Sequence, residues 1–347
     1  MQTNAVELTV DGQKWTEYTL LNDNGMEVSF LDYGGIITKM VTPDRLGTLE
    51  NVVIGYKNYE DYLKNPNFFG ALIGRVAGRI EGSRFALDGI EYQLPTNEGR
   101  NHLHGGEVGF HQVLWQVELV EHATSVGAIL HYTTSDGDGG YPGNVAVKVT
   151  YTLTNDNQFT IDYEAVSDKK TVLTLTNHAY FNLSGNLKQD ILHHEVTMDV
   201  SRFVELDDEL IPTGTMLPVD GTVFDFRAGR LLKDGVDSGN PQNAFAKNGY
   251  DHYFLFDHTK EDKVVVHEQT SGRVLRVKTD QPGIVMYTSN GLDDSLSLRE
   301  RSSAKYLGVC LETQSSPASL EHEGFPSIVL EKNKMYQAST TFDFGVK

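Results

Sequence analysis

Apolar and polar residues alternate with a period of two along much of this chain. Val145, Val147, Val149, Tyr151 and Leu153 fall on one side of an extended segment, with Lys148, Thr150, Thr152 and Thr154 on the other, the pattern of a strand with one buried face. After Asn155-Asp156-Asn157, a second run sets Phe159, Ile161, Tyr163 and Ala165 against polar partners, so the two runs predict a hairpin. The segment from Arg84 to Leu94 predicts another, turning at Asp88-Gly89. Further strands are expected at Met26–Leu31, Val113–Val120, Ala128–Tyr132, Val264–His267, Val274–Lys278 and Met335–Phe344. Helical periodicity is scarce, confined to Tyr59–Leu63 and Gly229–Leu232. Many strands, short turn-rich connections and no Pro/Ser-rich linker predict an all-β fold. We expect one large antiparallel β-sandwich over residues 1–347, with few short helices.

Composition agrees with a β-rich globular protein, with 33 Gly, 16 Tyr and 16 Phe against only 22% charged residues. The formal net charge of -19 argues against a nucleic-acid partner, because phosphate binding needs clustered Lys and Arg; a small neutral ligand fits better. Cys310 is the only cysteine, so no intrachain disulfide can form. Within Leu307-Gly308-Val309-Cys310-Leu311 it reads as a small buried hydrophobe. The first residues lack the basic start and apolar stretch of a signal peptide, and no apolar run is long enough to span a bilayer. The expectation is a cytoplasmic protein with no membrane partner; nothing in the pattern specifies an oligomer.

Candidate chemistry is concentrated in Thr176-Asn177-His178-Ala179-Tyr180-Phe181-Asn182-Leu183, which follows the strand-like run Val172–Leu175. A histidine, an asparagine and a tyrosine at the end of such a run are placed where a sheet can present them to a ligand. A lone histidine there could equally be satisfied by a backbone carbonyl. Arg79 could be a structural ion-pair partner, although its planar fork also suits paired hydroxyls. Asp251, after Gly249-Tyr250, could cap a turn. Glu312 lies in an apolar strand, where an ionised carboxylate is costly unless paired, and its placement favours function. Of Tyr180 and Phe181, which alternate, one is expected in the core and the other beside the ligand.

Other motifs fail. Asp136-Gly-Asp-Gly-Gly-Tyr-Pro-Gly143 starts like a calcium loop but has Tyr141 at the sixth position, where glycine is needed. There is no Walker-type phosphate loop, and His267-Glu268 lacks the second histidine of a zinc protease. His102-Leu103-His104 with Glu107 resembles the first metal-binding motif of cupins, but Gly105-Gly106 interrupts the strand and no second motif follows. The expectation is no metal and no cofactor.

Four segments and a fifth near the end occur in order: Gly74-Arg-Val-Ala-Gly-Arg-Ile80, Asn101-His-Leu-His-Gly-Gly106, Thr176–Leu183, Gly249-Tyr-Asp-His-Tyr-Phe254 and Leu311-Glu-Thr-Gln314. Their order, spacing and wording resemble the galactose mutarotase (aldose 1-epimerase) family across essentially the whole chain. The resemblance implies a β-supersandwich whose concave face holds a pyranose, and an isomerase that interconverts α and β anomers of free hexoses such as D-galactose and D-glucose. It implies Glu312 as general base, His178 as general acid and His104 assisting near the ring oxygen. Arg79 and Asp251 would bind sugar hydroxyls, and Tyr180 is the aromatic candidate for sugar contact. The base is expected ionised and the imidazole protonated, a state that Asp251 nearby would favour.

Three positions depart from the family pattern. Gly78 stands where asparagine often precedes the arginine, Val285 where many members carry glutamine, and Ser315-Ser316-Pro317 where Phe-Pro-Asp is more usual. These leave the sugar preference open, with a phosphorylated hexose, a disaccharide, a non-catalytic carbohydrate-binding role or two-carboxylate glycoside hydrolysis as alternatives.

Overall fold

The computed structural model describes residues 1–347. Three sheets carry most of the strands. The first has five strands in chain order, Gln2–Val10, Gln13–Leu21, Glu27–Leu31, Ile37–Pro43 and Leu49–Asn51. The second has nine, in the order Gln116–Glu121, Ser125–Thr134, Val145–Thr154, Gln158–Ser167, Met335–Val346, Arg273–Thr279, Val264–His267, Glu195–Met198 and Arg230–Leu231. The third has six, in the order Tyr180–Phe181, Val309–Gln314, Gly283–Tyr287, Asp251–Phe256, Val200–Leu206 and Pro212–Pro218. Neighbouring strands pair antiparallel, as the predicted all-β sandwich requires.

The alternating patterns mark real strands. Val145–Thr154 pairs with Gln158–Ser167, and its odd-numbered residues are all buried while the intervening side chains are partly or fully exposed. Arg84–Leu87 and Ile90–Gln93 form the second hairpin about Asp88-Gly89. The helical expectations need correction. Tyr59–Leu63 is a 3-10 turn, and Gly229–Leu232 contains the edge strand Arg230–Leu231, with an α-helix following at Leu232–Val236. A second helix, Pro241–Phe245, left no periodic signal because five residues do not complete two turns. Its start is nonetheless marked chemically: the Asn240 side chain accepts a hydrogen bond from the Gln242 N–H, and Pro241 occupies the first turn.

The six-stranded sheet has two unlike faces. Phe181, Val309, Leu311, Ile284, Met286 and Phe254 point into a cluster of 52 buried apolar residues, where Phe181 meets Phe342 of the nine-stranded sheet with ring centroids 5.1 Å apart. Fully burying a large apolar side chain contributes about 1.5–3 kcal/mol, so this face fixes the register and hence which residues occupy the other. On the other face, pairing aligns Asp251, Tyr287, Cys310 and Tyr180 in one row across four strands. Tyr253, Val285 and Glu312 form the next row. A one-residue slip in Val309–Gln314 would turn Glu312 into the core.

Candidate active site

This second face forms the floor of a cavity of about 730 Å³, which Arg79, His104, His178, Tyr180, Asp251 and Glu312 all line. Segments separated by more than 200 positions thus bring every predicted site residue together.

His178 lies between the short strands Thr176–Asn177 and Tyr180–Phe181. Its backbone is pinned on both sides, the N–H donating to the Ala71 carbonyl at 2.9 Å and the carbonyl accepting from the Gly70 N–H at 3.0 Å. Tyr180 stacks on the imidazole at 5.1 Å and Phe68 at 5.8 Å, while His104 meets it edge-on at 5.3 Å. The ring therefore has one orientation. Nε2 is 3.5 Å from Glu312 Oε1, and Nδ1 is 3.5 Å from Cys310 Sγ. Glu312 is only 3% exposed.

His104 is held by the segment it faces: the Gly78 N–H donates to its Nδ1 at 3.1 Å, and its own N–H donates to the Gly78 carbonyl at 3.2 Å. With Nδ1 accepting, the ring proton is on Nε2, so neutral His104 is a hydrogen-bond donor. Gly78 has φ +90, and a Cβ there would lie 3.1 Å from Pro317 Cγ. The space a side chain at this position would need is occupied by Pro317, so Gly78 and Ser316-Pro317 meet in one wall of the cavity.

Arg79 forms the ion pairs that one reading of the sequence expected, and it also lines the cavity. Its Nε and Nη2 donate to Glu98 at 2.6 and 2.8 Å, a two-pronged pair, and Nη1 is 3.7 Å from Asp251 Oδ2. Asp251 does not cap a turn; it opens the strand Asp251–Phe256 with its carboxylate in the cavity. The expected division between Tyr180 and Phe181 is also modified, since both are buried. Phe181 belongs to the main core, whereas Tyr180 backs His178 and donates its hydroxyl to the Asn67 carbonyl at 2.9 Å. Val285 lines the cavity and pairs with Glu312 on the neighbouring strand.

Sequence reasoning missed Glu98, Gln314 and the polar contact of Cys310. Glu98 lies in a loop with no pattern. Gln314 falls two residues beyond Glu312 on the same strand and so on the same face, a signal that period two could have given; its Nε2 donates to Ala77 O at 3.2 Å while its buried Oε1 has no partner.

Burial dominates the electrostatics. It pushes the Glu312 carboxyl well above its usual range, with Asp251 adding to the rise and Arg79 opposing it. It pulls His178 down to about 3, and His104 well below its usual value, the latter also through His178 and Arg79. Asp251 is raised by burial against the pull of Arg79. Burial therefore works against the expected pair of ionised Glu312 and protonated His178, raising the proton affinity of the carboxyl and lowering that of the imidazole.

Ligand atoms of His104, His178 and Glu312 come within 4.8 Å of one another, which by distance alone would admit a divalent cation. The donor set argues otherwise, because the Gly78 N–H occupies the His104 Nδ1 lone pair and leaves Nε2 protonated, whereas a ligating nitrogen must be bare. His102, the other histidine of the cupin-like motif, is outside this group and bonds through Nδ1 to the Pro95 carbonyl.

Residues 16–343 match the aldose 1-epimerase family. The galactose mutarotase of Rattus norvegicus is 38% identical over 98% of this chain and 97% of that protein. The aldose 1-epimerase of Haemophilus influenzae is 36% identical over 90% of each. Among solved structures, galactose 1-epimerase from Lactobacillus acidophilus superposes with a TM-score of 0.89 at 30% identity, covering 100% of this chain and 99% of that one.

Proposed function

The chain belongs to the aldose 1-epimerase family, known equally as galactose mutarotases, and from that premise we propose which of its residues carry the reaction. The protein is an isomerase that interconverts the α and β anomers of free hexoses. Ring opening needs a base for the C1 hydroxyl proton and an acid for the ring oxygen; the aldehyde then turns about C1–C2 and recloses on its other face.

Glu312 is the base, His178 the acid, and His104 a fixed Nε2–H donor beside them. The observation that supports this most is the single buried contact between His178 Nε2 and Glu312 Oε1, 3.5 Å apart, with opposite shifts in proton affinity. One proton serves the whole cycle. On Nε2, it leaves a carboxylate to take the C1 proton and an imidazolium to protonate the ring oxygen. After opening, Glu312 holds a proton and His178 is neutral, which is the direction in which burial shifts both groups. Sugar hydroxyls donating to the carboxylate offset its burial cost and draw the proton across to His178. Arg79 and Asp251 grip hydroxyls, and Tyr180 stiffens the floor beneath the acid.

We further take residues 1–347 as one galactose mutarotase-like domain, supported by a main core drawing on residues from Leu20 to Phe344. Galactose and glucose are the substrates we assign. A phosphorylated hexose is disfavoured because, of the three Lys and Arg side chains lining the cavity, Arg79 is paired with Glu98 and Asp251 and Arg100 with Glu209 and Glu81, which leaves Lys247 alone for a phosphate. We also place the protein in the cytoplasm, in galactose metabolism. Its one cysteine, free and buried, fits a reducing compartment, and no helix is long and apolar enough to cross a membrane.

The experiment is the optical rotation of freshly dissolved α-D-galactose with catalytic amounts of chelator-treated protein. A faster approach to the same final rotation is expected. No acceleration with galactose or glucose would overturn the substrate assignment.

A further inference from the structure

Cys310 contacts the ring of His178 at the nitrogen that Glu312 does not reach. Its Sγ is 3.5 Å from Nδ1, it is fully buried, and it lies in the same floor row as Asp251, Tyr287 and Tyr180. Period two puts Cys310 and Glu312 on the same face of one strand, so a single strand holds both neighbours of the His178 ring, Glu312 at Nε2 and Cys310 at Nδ1.

We propose that Cys310 is a positioning residue for the acid: its sulfur accepts the Nδ1–H of His178 and so confines the transferable proton to Nε2, facing Glu312. This rests on the assignment of His178 as the acid. In both protonation states of that cycle Nδ1 carries hydrogen. With the imidazolium, both ring nitrogens are protonated; after Nε2 has protonated the ring oxygen, the neutral ring keeps its proton on Nδ1. A ring nitrogen whose proton must stay in place needs an acceptor, and that partner selects the tautomer.

The nature of the acceptor matters. A carboxylate at Cys310 would stabilise the imidazolium and weaken it as an acid, and an apolar group would leave Nδ1–H with only the residue's own backbone carbonyl nearby. A thiol accepts weakly and carries no charge. Burial, with Glu312 and Asp251 on the same face, raises the thiol's proton affinity and keeps it from becoming a competing anion. The other groups around the ring are His104 and His111, both depressed mainly by burial, and Phe68 and Tyr180 on its faces.

The test compares Cys310→Ala and Cys310→Ser in the full chain. Losing the acceptor should lower kcat by about tenfold with KM changed less than about twofold, and serine, which keeps a polar acceptor, should recover part of the loss. The nitrogen-15 signals of the His178 ring should show a protonated Nδ1 in the parent and a tautomer mixture in Cys310→Ala. In a His178→Asn background, adding Cys310→Ala should cost nothing more. Unchanged kcat and ring signals in Cys310→Ala would overturn the proposal, as would an equal further loss in the His178→Asn background, which would mean packing alone. A fully active His178→Asn would instead overturn the acid assignment, leaving the ring signals to decide the contact.

Discussion

Glu50 and Glu312 are both buried glutamates on strands, yet the structure uses them in opposite ways. Glu50 Oε2 accepts from Arg273 Nη2 at 3.0 Å, and Lys188 bonds its other oxygen. Arg273, only 1% exposed, is further tied to the carbonyls of Thr48 and Leu183. Glu312 has no such cation in contact: Arg79 is engaged by Glu98 and Asp251, and the ionisable partner of Glu312 is the His178 imidazole at 3.5 Å. A buried carboxylate bonded to two cations ties segments together. One left beside a histidine, with its proton affinity raised by burial, has a partner with which to exchange a proton.

The sharpest way to break the comparison is to neutralise each carboxylate in turn. Glu312→Gln should lower kcat by about 10²–10⁴-fold. It should leave the unfolding midpoint near neutral pH unchanged or higher. A carboxyl raised in the folded state adds stability only below its unfolded value, and that is lost as pH climbs through the folded one, so at neutral pH the group costs stability. Glu50→Gln should do the reverse, costing roughly 3–5 kcal/mol through the uncompensated Arg273 while turnover per folded molecule stays normal. Equal stability losses in the two variants, measured by thermal unfolding with activity on the folded fraction, would erase the distinction.

Next in size is the response to acid. His102, His104, His111, His178, His194 and His252 are all depressed, with burial the leading cause, His111 and His194 to about 4 and His178 and His252 to about 3. Their contribution is fully present above the ordinary histidine value of about 6.5 and is lost as pH falls through the folded values, since the unfolded chain binds protons that the folded one refuses. Each histidine adds a slope of up to about 1.4 kcal/mol per pH unit in that window. Unfolding midpoints taken from pH 7 down to pH 4 should fall steadily; a flat profile would contradict the neutral buried imidazoles.

The smallest effect expected is at the clamp. Glu98→Gln keeps the shape but removes the charge from the pair on Arg79, and should raise the KM for galactose by about 3- to 10-fold with a smaller change in kcat. If kcat falls as far as KM rises, Glu98 orients the reacting groups and not only the sugar.

Much of this was legible from the residues. Period two revealed the strands and hairpins because one buried face imposes strict alternation, as in Val145–Thr154. Five short motifs marked the site because each holds polar groups at a strand end or in an apolar strand. Glu98 could not be found this way: its role comes from a loop folding back on Arg79, and nothing local encodes that. Cys310 read as filler because an apolar run hides which of its residues meet a buried polar side chain.

The sequence by itself determined that the chain forms antiparallel strands with one apolar face, and which residue types stand ready for acid–base work, since both follow from local pattern and side-chain chemistry. Only the tertiary structure decided their state. Register across the six-stranded sheet put Glu312 and Cys310 against His178, Pro317 closed the space beside Gly78, and burial raised the proton affinity of the carboxyl and lowered that of the imidazole. Proton affinities depend on solvent exclusion and on charges brought together from distant segments, and these exist only once the chain has packed.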